Sequence, residues 1–163
     1  MIHRLLASNF ADILRVVNDA AQAYKYVIPH YRWKEPYMSA DELQGEIEYN
    51  VKFYGLTVDG SLLGVMGIQI VKDVTLIRHA YVLTKHQRTG IGENLLNRLM
   101  QLAQTSTILV GTWEAAWWAI RFYEKHGFKL VSKEEKNRLL RKYWSIPERQ
   151  VETSVVLKLN KWL

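Results

Sequence analysis

The stretch Gln87-Arg88-Thr89-Gly90-Ile91-Gly92 lies where a predicted strand, Val74 to Leu83, hands over to a predicted helix starting at about Gly92. Glycines at such a junction permit positive φ and let backbone N–H groups converge on one point with no Cβ in the way. The first turn of the following helix adds unpaired N–H donors and the positive end of its dipole. Together these groups suit a pyrophosphate, and Lys85 and Arg88 add cationic charge beside it. Other phosphate motifs fail on spacing. A dinucleotide fingerprint needs a third glycine where Leu95 stands, and a P-loop needs a Gly-Lys-Ser/Thr ending that the chain lacks. A plain helix start with glycines for turning accounts for the same residues, so the stretch by itself says only that an anion fits there.

Upstream, Met1 to Ala7 reads as a first strand, and helix signals run from Asn9 to about Tyr24 with Ile13, Val16, Val17 and Ala20 on one face. An aromatic loop from Tyr26 to Tyr37 is punctuated by Pro29 and Pro36. Ser39-Ala40-Asp41-Glu42 has the form of a capping box and opens a second helix reaching about Tyr49. Lys52 to Val58 and Ser61 to Val71 are predicted strands joined at Asp59-Gly60, a two-residue hairpin signal, and Lys72-Asp73 makes the next tight turn.

Downstream, the helix after the glycines carries Leu95, Leu96, Leu99, Met100 and Ala103 at helical spacing. Thr107 to Thr112 is a short strand, and Ala115 to His126 a helix that Gly127 stops at C′. Phe128 to Val131 reads as a strand, Lys133 to Tyr143 as a helix and Val151 to Leu159 as a closing strand. This order predicts an α/β fold, a mixed sheet with helices on both faces, in a single domain spanning residues 1–163.

Composition narrows the function classes. With 48% apolar and 23% charged residues the chain is globular in type. No apolar run approaches the roughly 18 residues of a membrane span, and the start of the chain lacks the apolar stretch of a signal peptide. The expectation is therefore a cytoplasmic protein without a membrane partner. Cysteine is absent, and His3, His30, His79, His86 and His126 are scattered without ligand spacing, so no metal site is expected. The net charge of +6 would suit a phosphorylated cofactor or a nucleic acid. Much of it sits in Lys125, Lys129, Lys133, Lys136, Arg138, Arg141 and Lys142, which reads more simply as a solvated helix face and disfavours a nucleic-acid partner.

At this point the chain resembles the GNAT superfamily of N-acetyltransferases. Gln87-x-x-Gly90-x-Gly92 fits that family's acyl-CoA signature, and Ala119-Ile120-Arg121-Phe122-Tyr123-Glu124-Lys125-His126-Gly127-Phe128 looks like its Ala-Ile-x-Phe-Tyr-Glu-Lys-x-Gly-Phe segment. The resemblance covers Ile2 to about Val131 and implies a GNAT-like fold with a central, mostly antiparallel sheet. It also implies acetyl transfer from acetyl-CoA, as cosubstrate, to an amine acceptor by direct attack in a ternary complex.

By the same resemblance, the backbone of Tyr81, Val82, Leu83 and Thr84 pairs with the pantetheine arm as an added strand would, and the Val82 N–H polarises the thioester carbonyl. Gln87, Arg88, Thr89, Gly90, Ile91, Gly92 and Glu93 then hold the pyrophosphate. Tyr123 falls where many relatives place the acid for the departing thiolate, and it also lies in the cofactor site. Simple packing beside Phe122 is the alternative for it. Two positions depart from the pattern: Ala116 stands where relatives often have a cofactor-contacting asparagine, and Leu76 where some have a glutamate base.

An amine with pKa near 10.4 must lose a proton before attacking. His79, two positions before Tyr81 on the same strand face, is the first candidate base, followed by Glu114, Glu46 and Glu48. Trp113, Trp117 and Trp118, or the loop with Tyr26, Tyr31, Arg32 and Trp33, would wall the acceptor pocket or simply pack. Two other readings stay open: an acyl-CoA-binding sensor without turnover, motivated by Ala116 and Leu76, and a basic nucleic-acid binder. The apolar end at Trp162-Leu163 would suit a homodimer.

Overall fold

The computed structural model describes residues 1–161, so the apolar end expected to support a dimer lies outside the described residues. The chain divides into two compact units: Met1–Gln69 with Ile77–Ala103, and Ile70–Leu76 with the chain from Gln104 on.

The first unit begins with β1 (Ile2–Arg4) and α1 (Phe10–Ala20), which a 3₁₀ turn at Ala21–Tyr24 extends. The apolar positions of α1 recur at helical spacing, and Ile13, Val16, Val17 and Ala20 are all buried. α2 (Ala40–Glu48) starts on the capping box: Ser39 Oγ accepts the Glu42 N–H at 3.1 Å, and Glu42 Oε1 accepts the Ser39 N–H at 3.2 Å. β2 (Lys52–Val58) and β3 (Ser61–Val71) form an antiparallel hairpin in which Val58 faces Ser61. Asp59 and Gly60 both have positive φ, as a hairpin turn matching the strand twist requires. β1 lies antiparallel on the other side of β2. Leu5, Ile13, Val17, Leu43, Phe53, Val65 and Leu83 belong to the core of this unit.

β4 (Val74–Val82) neighbours β3, a 3₁₀ turn at Thr84–His86 follows, and α3 (Ile91–Leu102) closes the unit. A Cβ on Gly64 would stand 2.7 Å from Ile91 Cγ2 and 3.3 Å from Val82 Cγ2. The absent side chain thus lets β3 approach both the end of β4 and the first turn of α3.

In the second unit, β7 (Ser154–Asn160) runs antiparallel to β5 (Thr107–Trp113) and to β6 (Lys129–Leu130). α4 (Trp117–Lys125), α5 (Lys133–Tyr143) and α6 (Glu148–Glu152) complete it. Leu76, Leu109, Leu139, Leu140, Tyr143 and Val156 pack in its core. The expected closing strand from Val151 begins later than its β-branched residues suggested. Pro147 serves as the N-cap of α6, and Val151 is buried from that helix. The other elements differ from expectation by a few residues at their ends; β2, β3 and α5 match it residue for residue.

Candidate active site

Gly90 is the N-cap of α3, with φ +88° and ψ 1°. Arg88, two residues earlier, is also left-handed, with φ +63°. Nothing lies within 4 Å of where a Gly90 Cβ would point, so the glycine meets a backbone requirement and leaves open space before the helix. The Asn94 N–H donates to the Gly90 carbonyl at 3.0 Å, which places the N–H groups of Ile91, Gly92 and Glu93 ahead of the helical ladder. Glu93 is exposed in the first turn, where its charge favours the helix dipole. Ile91 is buried and anchors the turn, while Gln87, Arg88 and Thr89 are exposed. The Thr89 hydroxyl donates to the His86 carbonyl.

The backbone leading into this turn is partly committed. The Leu83 N–H donates to the Leu63 carbonyl at 2.9 Å, and the Thr84 N–H to Asp19 Oδ2 at 2.7 Å. The Val82 carbonyl accepts from the Gln87 side chain at 3.2 Å, a contact that an incoming amide can displace. An extended ligand pairing here must draw its N–H donors from Val82 or from residues before it.

Tyr81 precedes that segment. Its ring meets Tyr24 edge-on at 6.4 Å, Tyr24 meets Tyr37 at 5.6 Å, and Tyr37 meets Trp33 at 5.8 Å. Burial, reinforced by the neighbouring Tyr37 and Tyr24 phenols, whose charge would repel a phenolate, raises the Tyr81 phenol well above its ordinary pKa, so it stays protonated. The aromatic loop thus splits: Trp33 and Tyr37 pack alongside Tyr24, whereas Tyr26 and Tyr31 are exposed.

His79 has φ +54°, a left-handed conformation inside a strand. This interrupts the regular alternation that would put His79 and Tyr81 on one face. The His79 ring stacks on Phe53 at 5.8 Å and its Nε2 lies 2.7 Å from Glu46 Oε2, while the Tyr81 ring meets Tyr24. Of the alternative bases, Glu46 meets His79, whereas Glu48 and Glu114 are exposed.

In the second unit, α4 ends in a Schellman cap. The Phe128 N–H donates to the Tyr123 carbonyl and the Gly127 N–H to that of Glu124, both at 3.1 Å, with Gly127 at φ +92°. The Tyr123 and Phe128 rings meet at 5.6 Å, the apolar contact that accompanies this cap. Tyr123 is 4% exposed and also touches Phe122. The spacing Tyr-x-x-x-Gly-Phe therefore has a structural cause of its own, and it fixes where Tyr123 sits. Trp113 is buried, and the Arg121 guanidinium lies 5.3 Å from the ring centre of the exposed Trp117.

The family model for the acetyltransferase (GNAT) domain matches residues 19–141, more than half of the chain. The chain belongs to the GNAT acetyltransferase family. Among solved structures, the PaiA N-acetyltransferase of Thermoplasma acidophilum, determined with coenzyme A, is similar with a TM-score of 0.75 at 16% identity, covering 98% of each chain. The ribosomal-protein-S18-alanine N-acetyltransferase of Escherichia coli is similar with a TM-score of 0.72 at 17% identity, over 100% of this chain and 94% of that one. At such identities these likenesses speak for the fold. Among curated proteins no sequence match is found.

The two departures from the GNAT pattern have clear places. Leu76 is fully buried in the second unit's core. Ala116 is the buried N-cap of α4, a helix start without the side-chain hydrogen bond an asparagine would make there. Residues that sequence reading missed include Asp19, which holds Thr84, and Arg78, which lies 3.0 Å from Glu46. Neither carried a local signal, whereas Gly64, which gives Val82 and Ile91 room, did, since glycine inside a strand marks a close approach. Among the described residues no cluster able to hold a metal occurs, and no helix is long and apolar enough to cross a membrane.

Proposed function

We propose that this GNAT acetyltransferase transfers the acetyl group of acetyl-CoA to a primary amine of a small molecule or peptide, by direct attack in a ternary complex. The observation that carries the reading is the left-handed Gly90 at the α3 N-cap, with open space before it and the N–H groups of Ile91, Gly92 and Glu93 ahead of the ladder. That is an arrangement for a pyrophosphate, with Gln87, Arg88 and Thr89 on the exposed side of the turn. The coenzyme A in the Thermoplasma relative supports it. Val82 supplies backbone polarity toward the thioester, and Leu83 and Thr84 shape the path through their carbonyls. Tyr123 gives a proton to the departing thiolate, and His79 takes one from the amine. Most of the rate then comes from positioning and carbonyl polarisation.

The test has two arms. Millimolar acetyl-CoA should raise the melting temperature, and free thiol should appear with at least one amine from a panel of polyamines, amino acids, aminoglycosides and peptides with free N-termini. Stabilisation without thiol release from any amine would make the protein a binding module. No stabilisation would remove the pyrophosphate reading itself. Tyr123→Phe should lower turnover where the phenol is protonated and remove the fall in rate at high pH, and an unchanged profile would end its role as acid.

A further inference from the structure

The surroundings of His79 are more elaborate than packing requires. Glu46 Oε2, on α2, lies 2.7 Å from His79 Nε2 and 3.0 Å from Arg78 Nη1. Arg78 Nη1 also donates to Gln69 Oε1 at 3.2 Å, and Gln69 Nε2 donates to the Tyr49 carbonyl just beyond α2 at 2.8 Å. The His79, Arg78 and Glu46 side chains are 17%, 20% and 23% exposed, so solvent screens their interactions weakly. Phe53 covers one face of the imidazole. All of this hangs on a left-handed histidine, a strained conformation that persists only where the surrounding structure enforces it.

Burial, with the charges around the ring, favours the neutral form of His79. Burial pushes His79 below its ordinary pKa and the Arg78 charge adds to this, while the hydrogen bond and charge of Glu46 and the charge of Glu42 offset it only in part. Burial works to raise Glu46, but the His79 hydrogen bond, the charge His79 carries once protonated and the Arg78 charge outweigh it and hold the carboxyl below its ordinary value. A neutral imidazole facing an ionised carboxylate must carry its proton on the nitrogen that faces it. That nitrogen is Nε2, and Nδ1 keeps its lone pair. Nδ1 makes no hydrogen bond to another described residue.

We propose that Glu46 is a positioning residue that locks His79 in the Nε2–H tautomer, so that Nδ1 accepts a proton from the acceptor's ammonium group, with Arg78 holding Glu46 in place. The idea rests on the acetyl-transfer reading. His79 lies three residues before Val82 on β4. The ammonium gives one proton to Nδ1 and becomes a free amine. As its nitrogen forms the C–N bond and the C–S bond breaks, its second proton passes, by way of the acid, to the departing thiolate, which leaves as the free thiol. The imidazolium returns its proton to water. No oxidant or metal is needed.

Long-range ¹H–¹⁵N spectra, with the His79 ring assigned through His79→Gln, report the tautomer without requiring turnover. The wild type should show Nε2–H with unprotonated Nδ1. In Glu46→Gln the carboxamide can turn either its oxygen or its NH₂ to the ring, so the tautomers should mix. Its kcat should fall about 100-fold or more with KM nearly unchanged, and Glu46→Asp should recover part of the loss. An Nδ1–H tautomer in the wild type would overturn the proposal. So would a Glu46→Gln protein that is less stable yet keeps both the tautomer and kcat, since Glu46 would then be only structural. If the wild type releases no thiol with any amine, the acetyl-transfer reading fails and the proton-accepting half of the proposal with it. An Nε2–H tautomer that Glu46→Gln abolishes would still establish the positioning half.

Discussion

Gly90→Ala should cost stability through the backbone alone. Gly90 sits at φ +88°, and nothing lies within 4 Å of the Cβ the substitution would add, so no clash contributes. Holding an L-residue in the left-handed region costs about 1–2 kcal/mol. Alanine recovers roughly 0.4–1 kcal/mol by lowering the entropy of the unfolded chain. The expected net loss is therefore about 1 kcal/mol, measured from urea midpoints at constant m-value, with a melting temperature lower by roughly 2–4 °C. Gly90→Asn should lose less, because asparagine tolerates the same region. Acetyl-CoA affinity, by calorimetry, should fall about tenfold in Gly90→Ala if the turn relaxes and its N–H groups lose alignment. A Gly90→Ala protein as stable as the wild type would refute the strain argument, as would an asparagine variant just as damaged. Lost stability with unchanged acetyl-CoA affinity would leave Gly90 as a helix start only.

Three further outcomes follow from single contacts. Ser39→Ala removes the acceptor for the Glu42 N–H and should cost about 1 kcal/mol in denaturant melts; because α2 carries Glu46, amide exchange along that helix should quicken too. Asp19→Ala leaves the Thr84 N–H without its carboxylate and should cost about 1 kcal/mol while weakening acetyl-CoA binding more than Asp19→Asn does. His79 and Glu46 are both held below their ordinary values of 6.5 and 4.5. The folded state therefore resists protons that the unfolded chain accepts, so their contribution is complete above about pH 6.5 and is lost progressively as the pH falls, first through His79 and then through Glu46. His79→Gln should flatten the upper part of that decline, and an unchanged slope between pH 6.5 and 4.5 would contradict the assignment.

Much of the fold was legible because its signals are local. Ser39 and Glu42 are three residues apart and cap the same turn. Asp59 and Gly60 bring together strands whose pairing the turn dictates. Ile13, Val16, Val17 and Ala20 declare their face through the helical period alone. The late start of β7 was missed because residues with strand propensity, Val151 among them, are drawn into a short helix behind Pro147.

The glycine turn shows where the division falls. From sequence alone came a helix start able to face an anion, since that depends on consecutive residues and their φ freedom. Tertiary structure decided what holds the turn: Asp19 reaches Thr84 across 65 residues of chain, and Gly64 makes room for Ile91 and Val82. The same holds for the proposed proton acceptor. A histidine on a strand looked ordinary, and its pairing with Glu46, 33 residues away, depends on a left-handed backbone and on where α2 is packed. Local chemistry is written in the order of residues. Which distant groups share one hydrogen bond is set only once strand register and helix packing bring them within 3 Å.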